Sequence, residues 1–308
     1  MAGTVVDGRI TDAHPVVMAT KLSEVLFSAF PDLRYQPTEK RVRAMVGGMA
    51  VVDTLHALLV WEPKRVTPVY AVSDVDLRAE LAPPGQQAGD VTEHGFRMGL
   101  EGPQALDPRT SFGRHTAAGE ELDVVTSHGR LPRAAFRPAD PDLAGYVVLD
   151  FNAFDWLEDD EEIIGHPRDP FHRVDIRASS LTVEVSLDGV TLAKTNGAQL
   201  LYETMLPVRY YIPPSDVRLD LMEESPKRTV CPYKGQASYW SYPDSAQGRN
   251  IAWSYDRRYR DAAQIHGLIS FYNERGDVSV DGVLQTRPVS PWSRPDRSDG
   301  PGEGPGAR

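Results

Sequence analysis

The chain has 308 residues, of which 41% are hydrophobic and 25% are charged, and this size and composition are typical of a globular protein with two domains. No stretch approaches the ~20 apolar residues of a membrane span, and residues 1–10 lack the basic and apolar segments of a signal peptide, so we expect a cytoplasmic protein with no membrane partner. The net charge of −11 argues against a nucleic-acid partner, because such binding needs a broad basic surface.

The first predicted elements are one helix and one strand. Apolar residues recur at three- and four-residue spacing within residues 16–30, which predicts a short helix that ends before Pro31. From residue 42 to residue 46 the period changes to two, and Gly47-Gly48 follows. This change predicts a strand and a turn.

The chain contains the same unit twice. Residues 42–62 align without a gap to residues 183–203. The identical positions are Val42/Val183, Gly48/Gly189, Thr54/Thr195, Ala57/Ala198, Leu59/Leu200 and Glu62/Glu203. After one inserted residue, Ser73-Asp74 meets Ser215-Asp216, and each pair is expected to cap a short helical turn. The repeat indicates a duplicated scaffold.

The second copy shows the strand pattern more clearly. Residues 181–187 alternate between apolar and polar side chains, and Asp188-Gly189 is a dipeptide favoured in two-residue hairpins. Further strand patterns with Pro and Gly between them occur at 200–202, 208–212, 238–241, 251–255, 268–272 and 278–280. This spacing predicts an antiparallel all-β fold rather than alternating βαβ units.

Two regions lack a clear period. Residues 83–137 are rich in Gly, Pro and His and are expected to form long loops in the first copy, and the Pro- and Gly-rich tail from Gln285 is predicted to be disordered. The predicted organisation is an N-terminal extension with the helix (1–37), a first repeat (38–177), a second repeat (178–284) and the disordered tail (285–308).

The peptide Thr229-Val230-Cys231-Pro232-Tyr233-Lys234-Gly235 contains the only cysteine of the chain. A single cysteine excludes an intramolecular disulfide and a Cys-x-x-Cys zinc site. A thiol attacks as the thiolate, and a nearby Lys234 ammonium would lower the pKa of Cys231. We interpret Cys231 as a candidate nucleophile or acid–base group with Lys234 as its partner. The alternative is a buried structural cysteine in a turn fixed by proline.

A basic connector precedes the second copy. It contains His166, Arg168, Asp169, His172 and Arg173, and it follows an acidic run at residues 158–162. Such a connector could line a cleft between the repeats, where arginine binds a carboxylate or phosphate and a histidine (His166 or His172) moves a proton. A salt-bridged linker is the alternative. The residue types also allow a metal site at His166, Asp169 and His172, but the pattern is weak, and we expect no metal and no cofactor.

Aromatic residues form a third cluster. Arg209 is a candidate substrate anchor, and the rings proposed to contact a ligand are Tyr211, Tyr233, Trp253 and Tyr255. Rings at alternate strand positions more often pack in the core. The chain has no Walker-type loop and no Gly-x-Ser-x-Gly elbow, and the acid pair Asp74-x-Asp76 becomes Asp216-x-Arg218 in the second copy. A magnesium-dependent transferase and a serine hydrolase are therefore disfavoured.

The second copy resembles the family called domain of unknown function 427, which also carries a nominal nucleotidyltransferase name. The resemblance covers about residues 180–283. It rests on the segments Val183–Val190, Glu203, Arg209–Pro213, Asp216-Val217, Thr229–Gly235, Ala252–Tyr255 and Gly267–Tyr272. The connector His166–Pro170 looks like the joining motif of tandem members.

The resemblance implies two tandem β-tent-like domains, each a small twisted antiparallel sheet, without the structural zinc of better-known relatives. In the first copy, His115-Thr116-Ala117-Ala118-Gly119-Glu120 stands roughly where the cysteine peptide would be, so activity that depends on the cysteine must reside in the second copy. The family supplies no established reaction, and the motifs do not support its nucleotidyltransferase name.

Two functional hypotheses follow from these residues. The first is an enzyme that acts on a small polar or anionic metabolite near the connector. Its catalytic residues would be Cys231, Lys234 and His166, and its substrate-binding residues would be Arg168, Asp169, Arg173, Arg209, Tyr211, Tyr233, Trp253 and Tyr255. The second is a non-catalytic ligand-binding or scaffold module, in which the cysteine peptide is a structural turn. The sequence leaves the reaction and the oligomeric state open.

Overall fold

A computed structural model describes residues 19–85, 95–97, 103–106, 108–255 and 259–293. The predicted helix is shorter than the spacing indicated and spans Leu22–Ser28 (α1). The start of the predicted helix at residues 16–18 lies outside the described residues. Among the described residues, no helix has the length and apolar character needed to cross a membrane.

The remaining regular structure is almost entirely strand. The strands of the first unit are β1 Arg34–Pro37, β2 Val42–Val46, β3 Met49–Thr54, β4 Leu58–Trp61, β5 Val69–Ser73, β6 Glu80–Ala82, β7 Gly95–Arg97, β8 Gln104–Leu106, β9 Gly119–Thr126, β10 Gly129–Pro138, β11 Tyr146–Leu149, β12 Asp155–Glu158 and β13 Glu161–Ile163. The strands of the second unit are β14 Val174–Ala178, β15 Val183–Leu187, β16 Val190–Thr195, β17 Gln199–Glu203, β18 Arg209–Ile212, β19 Glu223–Cys231, β20 Gly235–Ser241, β21 Ala252–Tyr255, β22 Ile269–Phe271, β23 Asp277–Val280 and β24 Val283–Leu284. Short 3-10 helices span Pro141–Leu143, Phe151–Ala153, Pro214–Asp216, Leu219–Leu221 and Arg260–Ile265. The predicted all-β class is confirmed.

Both units use the same arrangement of sheets. The first has a seven-stranded sheet in the order β1-β4-β5-β11-β10-β9-β6 and a four-stranded sheet in the order β13-β12-β2-β3. The second has the orders β14-β17-β18-β22-β21-β20-β19 and β16-β15-β23-β24. When strands are matched by their position in the two seven-stranded sheets, β1 corresponds to β14, β4 to β17 and β9 to β20. This correspondence brings the ends of β4 and β17 to equivalent positions.

Side-chain alternation explains why these segments form strands with one buried face. Val183, Val185 and Leu187 of β15 are buried and their neighbours are half-buried, and burying each such side chain contributes roughly 1.5–3 kcal/mol. The hairpin at Asp188-Gly189 has φ values of 50° and 82°, the left-handed conformation that a two-residue turn of this kind requires. The alternation and the hairpin prediction are therefore confirmed.

The region expected to form long loops contains the two longest strands of the first unit. The prediction for residues 83–137 was wrong for β9 and β10, which pair with each other and with β6 and β11. Leu122 and Val124 are buried on one strand and Ala134 to Phe136 on the other. Charged residues between the buried positions hid the period of these strands in the sequence.

Thr54 and Thr195 hold the turns near the two Ser-Asp pairs. The Thr54 hydroxyl donates to Asp76 at 2.6 Å, and the Thr195 hydroxyl donates to Asp216 at 2.6 Å. No side-chain cap is present at the 3-10 helix over Pro214–Asp216, so the predicted capping there was wrong. Asp216 instead accepts a hydrogen bond from Thr195 at the end of β16, as Asp76 does from Thr54 at the end of β3.

Both units begin slightly earlier in the chain than predicted. Because β1 pairs with β4 and β14 pairs with β17, each seven-stranded sheet begins a few residues before the predicted limits at 38 and 178. The described part of the predicted tail, residues 285–293, packs against the second unit through Trp292. Residues 294–308 lie outside the described residues.

Candidate functional site

The cysteine peptide forms a tight hairpin between β19 and β20. Cys231 is paired with Gly235 across the turn, and Gly235 has a φ of 99° that favours glycine. Cys231 is half-buried, whereas Tyr233 and Lys234 are buried. The peptide is therefore an ordered turn, and its lysine points into the protein.

Lys234 is bound by a buried carboxylate. Its Nζ donates to both carboxylate oxygens of Glu203 at the end of β17, and the two side chains are only 7% and 6% exposed. Burial alone would raise the pKa of Glu203, but the charge of Lys234 and the hydrogen bond from His172 outweigh it and hold the pKa at about 2. Burial would likewise lower the pKa of Lys234, but the charges of Cys231 and Glu203 raise it above its usual range. The site thus contains a permanent ion pair.

His172 is the second partner of Glu203. Its Nε2 lies 2.9 Å from Glu203 Oε1, and its ring stacks on Tyr233 with centroids 4.6 Å apart. The Tyr233 hydroxyl accepts a hydrogen bond of 2.7 Å from the backbone N–H of Asp169. The carboxylate, the imidazole and the phenol therefore link the core of the second unit to the connector.

The connector packs directly on the cysteine turn. A side chain at Gly165, where φ is 82°, would meet Pro232 Cδ at 3.4 Å. His166 Nδ1 lies 2.7 Å from the carbonyl oxygen of Pro167, and because that carbonyl can only accept, Nδ1 must carry the proton. Burial lowers the pKa of His166 to about 4, so its ring is neutral at pH 7. Arg168 pairs with Asp261 and lies over the Tyr233 ring at 5.3 Å.

The thiol of Cys231 differs from the predicted activated nucleophile. Burial raises the pKa of Cys231, and the charge of Lys234 lowers it by less. Because Lys234 is neutralised by Glu203, the ammonium does not convert the thiol into a thiolate at neutral pH.

Several predicted site residues lie elsewhere. Arg209 was expected to anchor a substrate, but it is buried and binds Glu274 through two hydrogen bonds of 2.5 and 2.7 Å. Arg173 is exposed and pairs with Asp175 at 2.9 Å. The structure thus brings the histidines, Arg168 and Asp169 to the cysteine turn, and it leaves Arg173 and Arg209 occupied by acidic partners.

Three of the predicted ligand-contacting rings are part of the core. Tyr211, Trp253 and Tyr255 are all buried. The Trp253 indole N–H donates to the Tyr211 hydroxyl at 3.2 Å, and burial raises the pKa of Tyr211 well above its usual range. These three rings therefore pack in the core of the second unit, in agreement with the core alternative.

Sequence reasoning did not assign a role to Glu203. A signal was present, because Glu62 occupies the same position of the first repeat, at the end of an otherwise apolar strand. Glu62 is 1% exposed, lies 3.0 Å from His115 Nδ1, and accepts backbone N–H groups from Thr116 and Ala117 at 2.6 and 3.1 Å. Glu62 and Glu203 are thus equivalent buried glutamates, and each has different hydrogen-bond partners in its own copy.

The comparisons with known proteins concern the second unit. Residues 175–282 match the model of the family NTP_transf_9, described as a domain of unknown function (DUF427). This segment belongs to the DUF427 family. No curated protein matches the chain. The resemblance noted in the sequence is therefore confirmed for the second unit, and the tandem arrangement of two such domains stays a prediction. Glu203 and the cysteine turn lie within this matched segment, and the connector with His166 and His172 lies just before it.

Within the part of the chain that the structure describes, no three His, Cys, Asp or Glu side chains are grouped as metal ligands. The His166, Asp169 and His172 side chains instead have separate partners. His166 binds Pro167, Asp169 accepts the Phe171 N–H at 2.7 Å, and His172 binds Glu203.

Proposed function

We propose that the DUF427 domain and the connector before it carry an acid–base centre that acts on a small polar metabolite, and that Glu203 and His172 are its core. The observation that carries the proposal is the buried carboxylate of Glu203, shared by an ammonium and an imidazole. Buried ion pairs rarely stabilise a fold more than apolar residues of the same size would. Strongly perturbed carboxylates with charged partners are concentrated at functional sites.

The hydrogen bonds support a role for each of these groups. A carboxylate can only accept, so His172 Nε2 carries the proton and donates to Glu203. In the neutral ring Nδ1 is then the free base, which is the arrangement that a carboxylate imposes on a catalytic histidine. Lys234 keeps Glu203 ionised and so fixes this tautomer. His166, whose Nδ1 is occupied, offers its Nε2 as an acceptor.

The connector supplies the surface on which a ligand would lie. His172 is 21% exposed and Arg168 is 30% exposed, whereas Glu203 and Lys234 are enclosed. Arg168 has five N–H donors, of which Asp261 uses only part, and can bind an anionic group of the metabolite. In this arrangement Cys231 contributes a neutral thiol rather than a nucleophile.

A non-catalytic module is the second candidate, and the close packing of the connector favours it. Gly165 lies against Pro232, and the Asp169 N–H binds Tyr233. These contacts would lock the connector to the turn without any chemistry. In that case the Glu203 network would serve to fix the position of the DUF427 domain.

A ligand screen with matched histidine variants tests the proposal. The change in melting temperature of the full chain is measured with dicarboxylates, sugar phosphates and amino acids for the wild type, His172→Gln and His56→Gln, where His56 is an exposed histidine of the first unit. We expect at least one compound to stabilise the wild type and His56→Gln but not His172→Gln, and conversion of that compound to be lost in Glu203→Gln. Equal stabilisation of all three proteins by a compound would show that His172 is not part of the binding site. Binding of a compound without its conversion would support the non-catalytic module.

A further inference from the structure

The segment after β24 crosses the second unit and ends on a buried ion pair. Gln285 makes the last backbone hydrogen bond to the sheet, to Val278 at 2.8 Å. Beyond it, Ser290 donates to Glu274, and Trp292 stacks on Tyr272 with centroids 6.2 Å apart. The segment is therefore placed by side chains rather than by strand pairing.

The recess beneath the segment has a charged floor and aromatic walls. Arg209 and Glu274 form the floor through their paired hydrogen bonds, with side-chain exposures of 7% and 0%. The guanidinium carbon of Arg209 lies 5.4 Å from the Trp253 ring, 5.5 Å from Tyr272 and 5.6 Å from Trp292. Of these three rings, Trp292 belongs to the segment, and Trp253 and Tyr272 belong to the unit beneath it.

The contacts that hold the segment are few. Among the described residues, 286–293 form one backbone–backbone hydrogen bond, from the Ser293 N–H to the Ser290 carbonyl at 3.1 Å, and none to a strand. The Ser290 N–H donates to the Ser293 hydroxyl at 3.0 Å and the Trp292 N–H to the Ser290 hydroxyl at 3.2 Å, both within the segment. Arg287 pairs with Asp277 at 2.8 Å, but both side chains are exposed, and such pairs contribute little. A segment held by so few contacts opens without unfolding the sheet beneath it.

We propose that residues 286–293 form a detachable latch, and that its Trp292 side chain fills a binding recess for a planar aromatic group on the second unit. In this structure the latch itself fills the recess. Its indole provides the stacking face for Tyr272, and its Ser290 hydroxyl provides the donor for Glu274. An aromatic ligand with one hydrogen-bond donor near its ring would make the same two contacts when the latch is open.

Negative charge at Ser290 opens this latch, because the hydroxyl faces the Glu274 carboxylate directly. A carboxylate or phosphate in its place would put like charges together in a buried setting. Val289 is 49% exposed and is one residue away, so the same charge placed there leaves the contact with Glu274 intact. The two positions form a matched pair.

The first test compares Ser290→Asp with Val289→Asp in the full chain by hydrogen exchange of the Ser293 amide, which donates to the retained backbone carbonyl of residue 290. We expect Ser290→Asp to speed this exchange roughly tenfold, as loss of a charge-assisted hydrogen bond would, while exchange of the β22 amides stays as in the wild type. Equal exchange in the two variants would overturn the proposal. Faster exchange throughout β22 would also overturn it, because the segment would then be part of the sheet's cooperative unit.

The second test measures the recess itself. Ser290→Asp is titrated with a synthetic peptide of residues 286–293, and with the same peptide carrying Trp292→Ala as the control. We expect the first peptide to bind and to shift the Tyr272 ring signals in NMR spectra, and the control peptide to have no effect. Binding of neither peptide, or of both equally, would show that the recess does not recognise an aromatic group.

Discussion

Replacing Glu203 by glutamine tests the energetic basis of the candidate site. The change removes one negative charge and leaves the Lys234 ammonium buried beside an amide. The difference between the usual pKa of 4.5 and the value of about 2 in the folded protein, at about 1.4 kcal/mol for each pKa unit, corresponds to about 3 kcal/mol. Breaking a buried ion pair from one side typically costs about 3–5 kcal/mol. We therefore expect Glu203→Gln to lower the free energy of unfolding of the second unit by about 3 kcal/mol.

The measurement is native-state hydrogen exchange of the β17 and β18 amides at pH 7, which reports the opening of this unit alone. Glu184→Gln is the matched control, because Glu184 also pairs with a lysine of the second unit, Lys194, but on the exposed surface. We expect the control to exchange like the wild type. The double change Glu203→Gln with Lys234→Met should cost less than Glu203→Gln alone, because no unpaired charge is left buried.

The pH dependence has a defined sign. A carboxylate whose pKa is lowered by folding stabilises the protein above its unfolded pKa, and this contribution is lost as the pH falls from about 4.5 towards about 2. Glu203→Gln should remove that part of the pH dependence. A cost below about 1 kcal/mol at pH 7, or an unchanged pH dependence, would refute the reasoning that Lys234 holds Glu203 as a buried anion.

Three further predictions follow from the same structure. Cys231 should react with iodoacetamide more slowly than a free cysteine at pH 7, since burial raises its pKa, and a midpoint of the pH–rate profile below the usual 9.0 would contradict this. His166 should remain neutral down to about pH 4 in NMR titrations, so that stability falls as the pH drops from 6.5 towards 4; titration near 6.5 would show that the ring is not buried. Thr54→Val and Thr195→Val should each cost about 1 kcal/mol in urea unfolding, and a large difference between them would mean that the two turns are not equivalent.

Local patterns in the sequence were sufficient to predict most of the second unit's strands. The alternation before Asp188-Gly189 and the positive φ values that this dipeptide adopts are properties of a few adjacent residues, so they can be identified in one copy alone. The strands β9 and β10 were missed because their buried residues stand between charged ones. Asp123, for example, is buried in β9 and accepts from Arg130 and the Arg133 N–H.

The site was predictable only in part. The cysteine turn and the connector were identified because their residue types are unusual and close together in the chain. The partners of Lys234 and Arg209 were not identified, since Glu203 and Glu274 lie 31 and 65 residues away along the chain. The sequence does not distinguish an arginine that faces a ligand from one that pairs with an acid far away in the chain. Only the fold shows that Arg209 pairs with Glu274.

The most direct measurement of the central claim is the carboxyl carbon shift of Glu203 in NMR spectra as the pH is lowered from 7. The account predicts no titration down to about pH 3.5, because Lys234 and His172 hold the pKa at about 2. A midpoint near 4.5 would show that the carboxylate is not bound as an anion. The acid–base centre proposed for the DUF427 domain would then lose the group on which it depends.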